Sequence, residues 1–168
     1  MRRNLFYVVT LVVLGAGSVI GYASKGGAAA GAEAGHATHF HVALRPEAVE
    51  WKPFYEGAEI AVLAGDPAQA GSHYVIRIRH RDGLRVPPHW HPFDEHLTVV
   101  KGTWVMGMGE KFDLASAQEF PEGSFLVSPK NVPHYALAKG ETIVQVHGTG
   151  PFAASFVNPE DDVFKKGK

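Results

Sequence analysis

The segment GLRVPPHWHPFDEHLTVVKG, residues 83–102, decides both the fold and the candidate chemistry of this chain. At its centre His89 and His91 are separated by one residue, and Glu95 follows four residues later. Side chains alternate along a β-strand, so the two imidazoles project to the same side, with their Cα atoms about 6.6 Å apart. From there both can reach one ion about 2.1 Å from each nitrogen, and Glu95 keeps the same parity. The spacing therefore indicates a metal site.

The residues around the two histidines are expected to complete this site. Pro92 has no N–H for strand pairing, so it should bend the chain and bring Glu95 round the ion. His134 follows Val132 and Pro133 and is expected to arrive from a neighbouring strand as a third imidazole. The candidate ligands are therefore His89, His91, Glu95 and His134.

Three neutral imidazoles and one carboxylate form a mixed nitrogen and oxygen shell. Such a shell suits one divalent transition metal, namely Fe, Mn, Ni, Cu or Zn, and suits Mg or Ca poorly. Four protein ligands in an octahedron leave two positions for water, oxygen or a bidentate substrate.

The spacing also carries a family resemblance. Gly83-x5-His89-x-His91-x3-Glu95-x6-Gly102 matches the first cupin motif, G-x5-H-x-H-x3,4-E-x6-G, at every defined position. The resemblance implies an all-β fold, a double-stranded β-helix of six to eight strands that forms a jelly-roll barrel with its metal inside. The family's metal ligands correspond to the two histidines, the glutamate and His134.

A second segment resembles the second cupin motif, G-x5-P-x-G-x2-H-x3-N. It runs from Gly123 through Pro129 to His134 and departs from the motif at Asn131 and Ala138. Asn tolerates a positive φ better than most residues, so we expect the turn at residue 131 to survive. Three further stretches resemble the ChrR-type cupins, which include sensory halves of anti-sigma factors and single-domain oxygenases: Gly65-Asp66-Pro67, the Pro-Pro-His-Trp-His run and Gly107-Met108-Gly109.

Residues 40–157 have the pattern of an all-β domain, with short strands between Gly and Pro turns. Residues 74–80 alternate apolar and basic side chains, which predicts a half-buried strand with Ile76 and Ile78 inside. Arg77 and Arg79 are then expected to face solvent. Further strands are predicted at 96–100, from 104 onward, at 124–127 and at 142–147, with a turn at 101–103.

Other side chains are candidates for the pocket. Trp104, Met106 and Met108 share one face of a strand and are expected to face the interior, where Trp104 and Met106 would line the pocket. Three further histidines, His73, His80 and His96, have no clear partner and are expected at the surface.

Gln145 and His147 share the opposite face of their strand from Val144 and Val146. If the valines pack outward, Gln145 lines the pocket. His147 is then a candidate catalytic residue, as a proton shuttle or as a donor to a metal ligand.

Composition excludes several classes of function. The 168 residues contain no Cys, which excludes disulfides, iron–sulfur clusters and thiol nucleophiles. The formal net charge is -1, and the domain lacks a block of Lys and Arg, which argues against a nucleic-acid partner. The 10 histidines favour metal or proton chemistry.

The first 24 residues have the pattern of a targeting segment, with two arginines before an apolar run. The run is near the length that spans a bilayer, so residues 1–24 are predicted to form an apolar helix that is either a cleaved signal peptide or an uncleaved membrane anchor. Residues 25–39 are expected to form a flexible linker, and residues 158–168 a C-terminal tail. The domain is predicted to be exported to a periplasm.

Two functional hypotheses remain from the sequence. The first is an exported metal-dependent enzyme acting on a small oxygenated molecule, by dioxygenase chemistry or by related decarboxylase, isomerase or lyase chemistry. The second is a non-catalytic module that binds a metal or a small ligand and senses it. Barrels of this kind often pair through edge strands, so a homodimer is a further expectation.

Overall fold

The two longest strands, Glu95–Met108 and His134–Thr149, pair antiparallel along most of their length and organise the fold. They belong to a computed structural model that describes residues 42–165. In chain order the strands are β1 Lys52–Tyr55, β2 Ala58–Ala64, β3 His73–His80, β4 Arg85–Trp90, β5 Glu95–Met108, β6 Gln118–Pro121, β7 Phe125–Ser128, β8 His134–Thr149 and β9 Ser155–Phe156. Short 3-10 turns lie at Pro46–Ala48 and Pro159–Asp161.

Both long strands bend at their middle, and the bend curls the sheet. The second half of β8 lies between β3 and the first half of β5, whereas its first half lies between β4 and the second half of β5. Strand β7 pairs with the start of β5, and β6 pairs with its later part. The expected all-β class is confirmed, and the curled sheet is consistent with a jelly roll, although residues 42–165 contain nine strands where six to eight were expected.

Gly102 is the point at which β5 bends, and here the structure differs from the expected turn at 101–103. The strand continues through this segment, because pairing with β8 resumes on both sides of two register shifts. Gly102 has φ +77, and a Cβ at this position would lie 2.5 Å from the carbonyl oxygen of Glu141. The site therefore needs glycine both for its backbone conformation and for the close approach of β8.

The hydrophobic core lies between the two halves of the curled sheet. Ile76 and Ile78 of β3 are buried, as the alternation predicted. Arg77 and Arg79 project from the other face, where Arg77 donates to Gln145 and Arg79 to Glu59.

Met108 is the exception to the expected inward row on β5. Trp104 and Met106 are buried, but Met108 is 52% exposed. The strand ends at Met108, and Gly109, with φ +115, takes the chain away. Met108 therefore lies on the same side of β5 as Trp104 and Met106, but beyond the end of the core.

The apolar N-terminal helix and the linker predicted for residues 1–39 lie outside the described residues. Within residues 42–165, no helix is long and apolar enough to cross a membrane.

Candidate metal centre

Three of the four predicted ligands converge at one end of the barrel interior. His89 lies in β4, His91 follows that strand, and His134 begins β8, where it is the register partner of His89. Each offers one ring nitrogen, and these three nitrogens lie within 4.8 Å of one another. All three side chains are buried.

Glu95 completes the cluster from the first position of β5. Its Oε1 lies 3.5 Å from Nε2 of His91, and its Oε2 lies 3.9 Å from Nε2 of His134. The carboxylate is also buried. The structure thus brings the three predicted histidines together and places Glu95 beside two of them, although the four residues come from three strands and a loop.

Hydrogen bonds to the backbone orient the three imidazoles. Nδ1 of His89 lies 2.7 Å from the carbonyl oxygen of Pro87. Nδ1 of His91 lies 2.8 Å from the carbonyl oxygen of Ala153, and Nδ1 of His134 lies 3.1 Å from that of Val132. A carbonyl can only accept, so each Nδ1 carries the proton and each Nε2 keeps its lone pair. This is the tautomer that a metal ligand of this kind requires.

Two of these Nε2 atoms, in His91 and His134, are buried and have no hydrogen-bond partner within residues 42–165. An unsatisfied buried polar atom costs about 1–3 kcal/mol, so the cluster is incomplete as a purely structural feature. A divalent transition metal would satisfy both nitrogens and would offset the Glu95 charge. The donor set therefore fits such an ion.

Burial favours the neutral form of two of the three histidines, His89 and His134. It lowers the pKa of His89 well below the ordinary value, and the neighbouring His134 and His91 lower it further. Burial also lowers the pKa of His134, although Glu95 opposes that shift. Neutral imidazoles are the form that binds a metal.

The two loops that carry the ligands are tied to each other. Asn131 has φ +60, as expected from its place in the turn, and its N–H donates to the carbonyl oxygen of His91 over 2.8 Å. The N–H of Lys130 donates to Asp94 over 2.8 Å. These bonds fix the segment before His134 against the segment between His91 and Glu95.

The four residues open onto a cavity in the barrel, in which the space open to the centres of water molecules is about 50 Å³. Trp104 and Met106 line it, as predicted. Most of the wall is apolar. Phe152 stacks on His91 with ring centroids 5.8 Å apart, and Phe156 lies 5.5 Å from His89.

The C-terminal segment also contributes to the cavity. Phe164, within residues 158–168, lines it and packs edge-on against Phe54 and Tyr55. This part of the segment expected to be a tail therefore covers the barrel.

The expectations for Gln145 and His147 are wrong in position. Val144 and Val146 face the cavity, so alternation puts Gln145 and His147 on the outer face. Gln145 accepts from Nε of Arg77 and its amide donates to Nε2 of His147 over 3.0 Å. Gln145 does not line the pocket, and His147 does not reach the candidate centre as a proton shuttle or donor.

His80 was expected at the surface but is 2% exposed and lines the cavity. Its Nε2 lies 2.8 Å from the Tyr55 hydroxyl, and its ring lies 4.7 Å from that of Trp104. Burial lowers its pKa to about 3. The sequence did contain a sign of this burial, because His80 has the same parity along the strand as the buried Ile76 and Ile78. The turn residues that follow His80 made the end of a strand look exposed.

The curled sheet and its buried His and Glu cluster define a cupin. The chain belongs to the family of ChrR cupin-like domains, whose model matches residues 39–153. None of the curated proteins compared with the chain matches it.

Solved structures resemble the chain in fold. An RmlC-like cupin from Shewanella frigidimarina is 17% identical, with a TM-score of 0.52 over 73% of this chain and 96% of that one. KdgF from Halomonas sp. is 16% identical, with a TM-score of 0.50 over 63% of this chain and 91% of that one. The anti-sigma ChrR of Rhodobacter sphaeroides, in complex with SigE, is 20% identical, with a TM-score of 0.48 over 63% and 51%.

Replacement of His91 by Ala should weaken metal binding by about 100-fold or more, because it removes a ligand rather than a group that supports one. Metal content after dialysis, with affinity from chelator competition, measures the effect. His96→Ala is the matched control, since His96 is exposed on a neighbouring strand. Full metal occupancy in His91→Ala would refute the assigned ligand set.

Acid should destabilise the metal-free protein partly through His80. The folded-state pKa is about 3, below the unfolded value of about 6.5, so the unfolded state takes up the proton first. The contribution of His80 is fully present above about pH 6.5 and is lost at about 1.4 kcal/mol per pH unit as pH falls toward 3. Urea unfolding at several pH values should show a shallower dependence in His80→Phe; an unchanged slope would contradict the assignment.

Proposed function

We propose that this protein is a metal-dependent cupin enzyme that acts on a small oxygenated organic molecule, with oxygenase chemistry as the leading reaction. One observation carries the proposal: the candidate ligands face a largely apolar cavity inside the barrel. An ion needed only to stabilise the fold would require no such space beside it.

The residues of the chain have separate tasks in this proposal. His89, His91, His134 and Glu95 would hold the ion, and the backbone carbonyls would keep the rings in the ligating tautomer. A metal bound there would polarise the oxygens of a substrate and, if redox-active, support chemistry with dioxygen. The aromatic wall formed by Phe152 and Phe156 would exclude bulk water, which strengthens the electrostatic interactions of the site.

The cavity restricts the size of the substrate. A water needs roughly 10–15 Å³ of space open to its centre, so the cavity holds about three to five waters or a molecule of similar bulk. Small hydroxyketones and diketones fit this description better than polycyclic compounds.

Related decarboxylase, isomerase or lyase reactions would use the same ligands but need a group that moves a proton. His147 is on the wrong face for that task. Glu95 borders the cavity and is the carboxylate that such a reaction would have available.

A non-catalytic sensing module is the second candidate. The observation that favours it is membership of the ChrR cupin-like family, in which the named relative is an anti-sigma factor solved with SigE. In that case the cavity would hold a ligand without turning it over, and the covering C-terminal segment would respond to its presence.

Oxygen uptake separates the two candidates. The full chain is loaded in turn with Fe, Mn, Ni, Cu or Zn and supplied with hydroxyacetone or with the small dicarbonyl compound methylglyoxal. We expect uptake with at least one pairing, abolished in His134→Ala and retained in His96→Ala. Ligand binding without uptake, for every metal, would reject the oxygenase proposal. Recovery of the ligand unchanged would then favour the sensing module over decarboxylase, isomerase or lyase chemistry.

We also propose that the domain is exported, on the basis of the apolar run within residues 1–24. Fractionation of cells producing the full chain, with N-terminal sequencing, tests this. A shortened chain in the periplasm supports a signal peptide, and a full-length chain in the membrane fraction supports an anchor. A full-length chain in the cytoplasm would contradict export.

A further inference from the structure

A second polar feature lies in the same cavity as the candidate metal centre. Beyond the four candidate ligands, the lining side chains among residues 42–165 that carry nitrogen or oxygen are Tyr55, His80 and Trp104. Tyr55 and His80 form a pair through the 2.8 Å contact between the hydroxyl and Nε2. The pair comes from β1 and β3, and neither strand supplies a ligand to the centre.

The pair is incomplete by itself. Nδ1 of His80 is buried and has no hydrogen-bond partner among the described residues. The Tyr55 hydroxyl contacts Nε2, so Nδ1 is either an unpaired donor or an unpaired acceptor, depending on which of the two groups donates. Either state costs free energy that a well-packed apolar residue would avoid. A native core rarely keeps such an atom without a use for it.

The pair offers hydrogen bonding without charge. Burial keeps His80 neutral, as its low pKa shows. Burial and the nearby Glu95 carboxylate both raise the pKa of the Tyr55 hydroxyl, which therefore stays protonated. A neutral donor and acceptor in an apolar wall suit an uncharged hydroxyl or carbonyl group.

We propose that His80, held in place by Tyr55, binds the hydroxyl or carbonyl oxygen of a small uncharged ligand in the cavity, so that the remainder of the ligand faces the candidate metal centre. The inference rests on the proposed function for the identity of the ligand as substrate. It narrows the substrate class to uncharged molecules with two separate oxygen groups and about three to five non-hydrogen atoms in all, as the cavity volume allows. Tyr55 is a positioning residue in this scheme.

A simpler explanation is that the pair stabilises the core. The two explanations differ in what they predict for the double variant Tyr55→Phe/His80→Phe, which keeps both rings and removes every polar atom of the pair. If the pair serves a ligand, replacement by apolar rings leaves the urea unfolding midpoint unchanged or higher. A clear fall in the midpoint would mean that the pair is kept for folding, and would overturn the proposal.

Binding is tested with two neutral probes of equal size, hydroxyacetone and 2-butanone, which differ by a hydroxyl in place of a methyl group. In protein labelled with 15N-histidine, NMR titration reports on each ring nitrogen. We expect hydroxyacetone to shift the His80 Nδ1 resonance and to bind about tenfold more tightly than 2-butanone. The preference should vanish in His80→Phe and diminish in Tyr55→Phe, in which the ring loses the partner that orients it.

The same titration in His91→Ala separates this inference from the proposed function. A hydroxyl preference that persists in this variant supports the role of His80 even if no metal-dependent activity is found. The proposal is overturned if His80→Phe keeps the preference, or if hydroxyacetone shifts only the resonances of the other cavity histidines. It is also overturned if no cavity histidine responds to either probe, because the cavity then admits no such ligand.

Discussion

Three hydrogen bonds from imidazole Nδ1 atoms to backbone carbonyls are the interaction on which the candidate centre depends. Carbonyl oxygens of Pro87, Val132 and Ala153 accept them. Each bond fixes one ring in orientation and in tautomer, so that three Nε2 lone pairs meet beside a largely apolar cavity. The arrangement ties the chemistry of the side chains to the path of the main chain. It also explains why proline and turn residues flank the ligands, since a carbonyl must be held still to orient a ring.

The curl of the sheet brings these carbonyls together. β5 and β8 each take part in both halves of the barrel, and their common bend is possible because Gly102 adopts a left-handed φ and lets the Glu141 carbonyl approach. Glu95 at one end of β5 and His134 at one end of β8 thereby lie in the same cavity as β4. A ligand set drawn from distant parts of the chain is thus a consequence of sheet geometry, and the cavity beside it is the space that the curled strands enclose.

Much of the centre could be predicted because its signals are local. Alternation predicts that His89 and His91 project to the same side, Gly83 marks a turn, and Gly102 marks the bend of β5. Glu95 lies across a loop at the start of β5, so its place beside the histidines follows from the motif spacing and from the bend expected at Pro92. Errors arose where the answer depends on a partner strand. Alternation puts Val144 and Gln145 on opposite faces of β8 but does not say which face is turned to the core. That depends on the faces of β3 and β5, with which this part of β8 pairs. His80 shares the parity of Ile76 and Ile78, yet its burial depends on the β1 strand that brings Tyr55. Met108 has the parity of Trp104 but lies where the strand ends.

The segment after β8 has a further consequence. Ala153 orients His91, and the adjacent Phe152 forms part of the cavity wall against the same imidazole. A small molecule that displaces the Phe152 ring would move the segment whose Ala153 carbonyl sets the basicity and orientation of the His91 imidazole. Occupancy of the cavity and affinity for the ion then become linked equilibria, and thermodynamic reciprocity requires the coupling to be equal in both directions. The wall segment that contains Phe152 and Ala153 would therefore couple the binding of a ligand in the cavity to the binding of the ion.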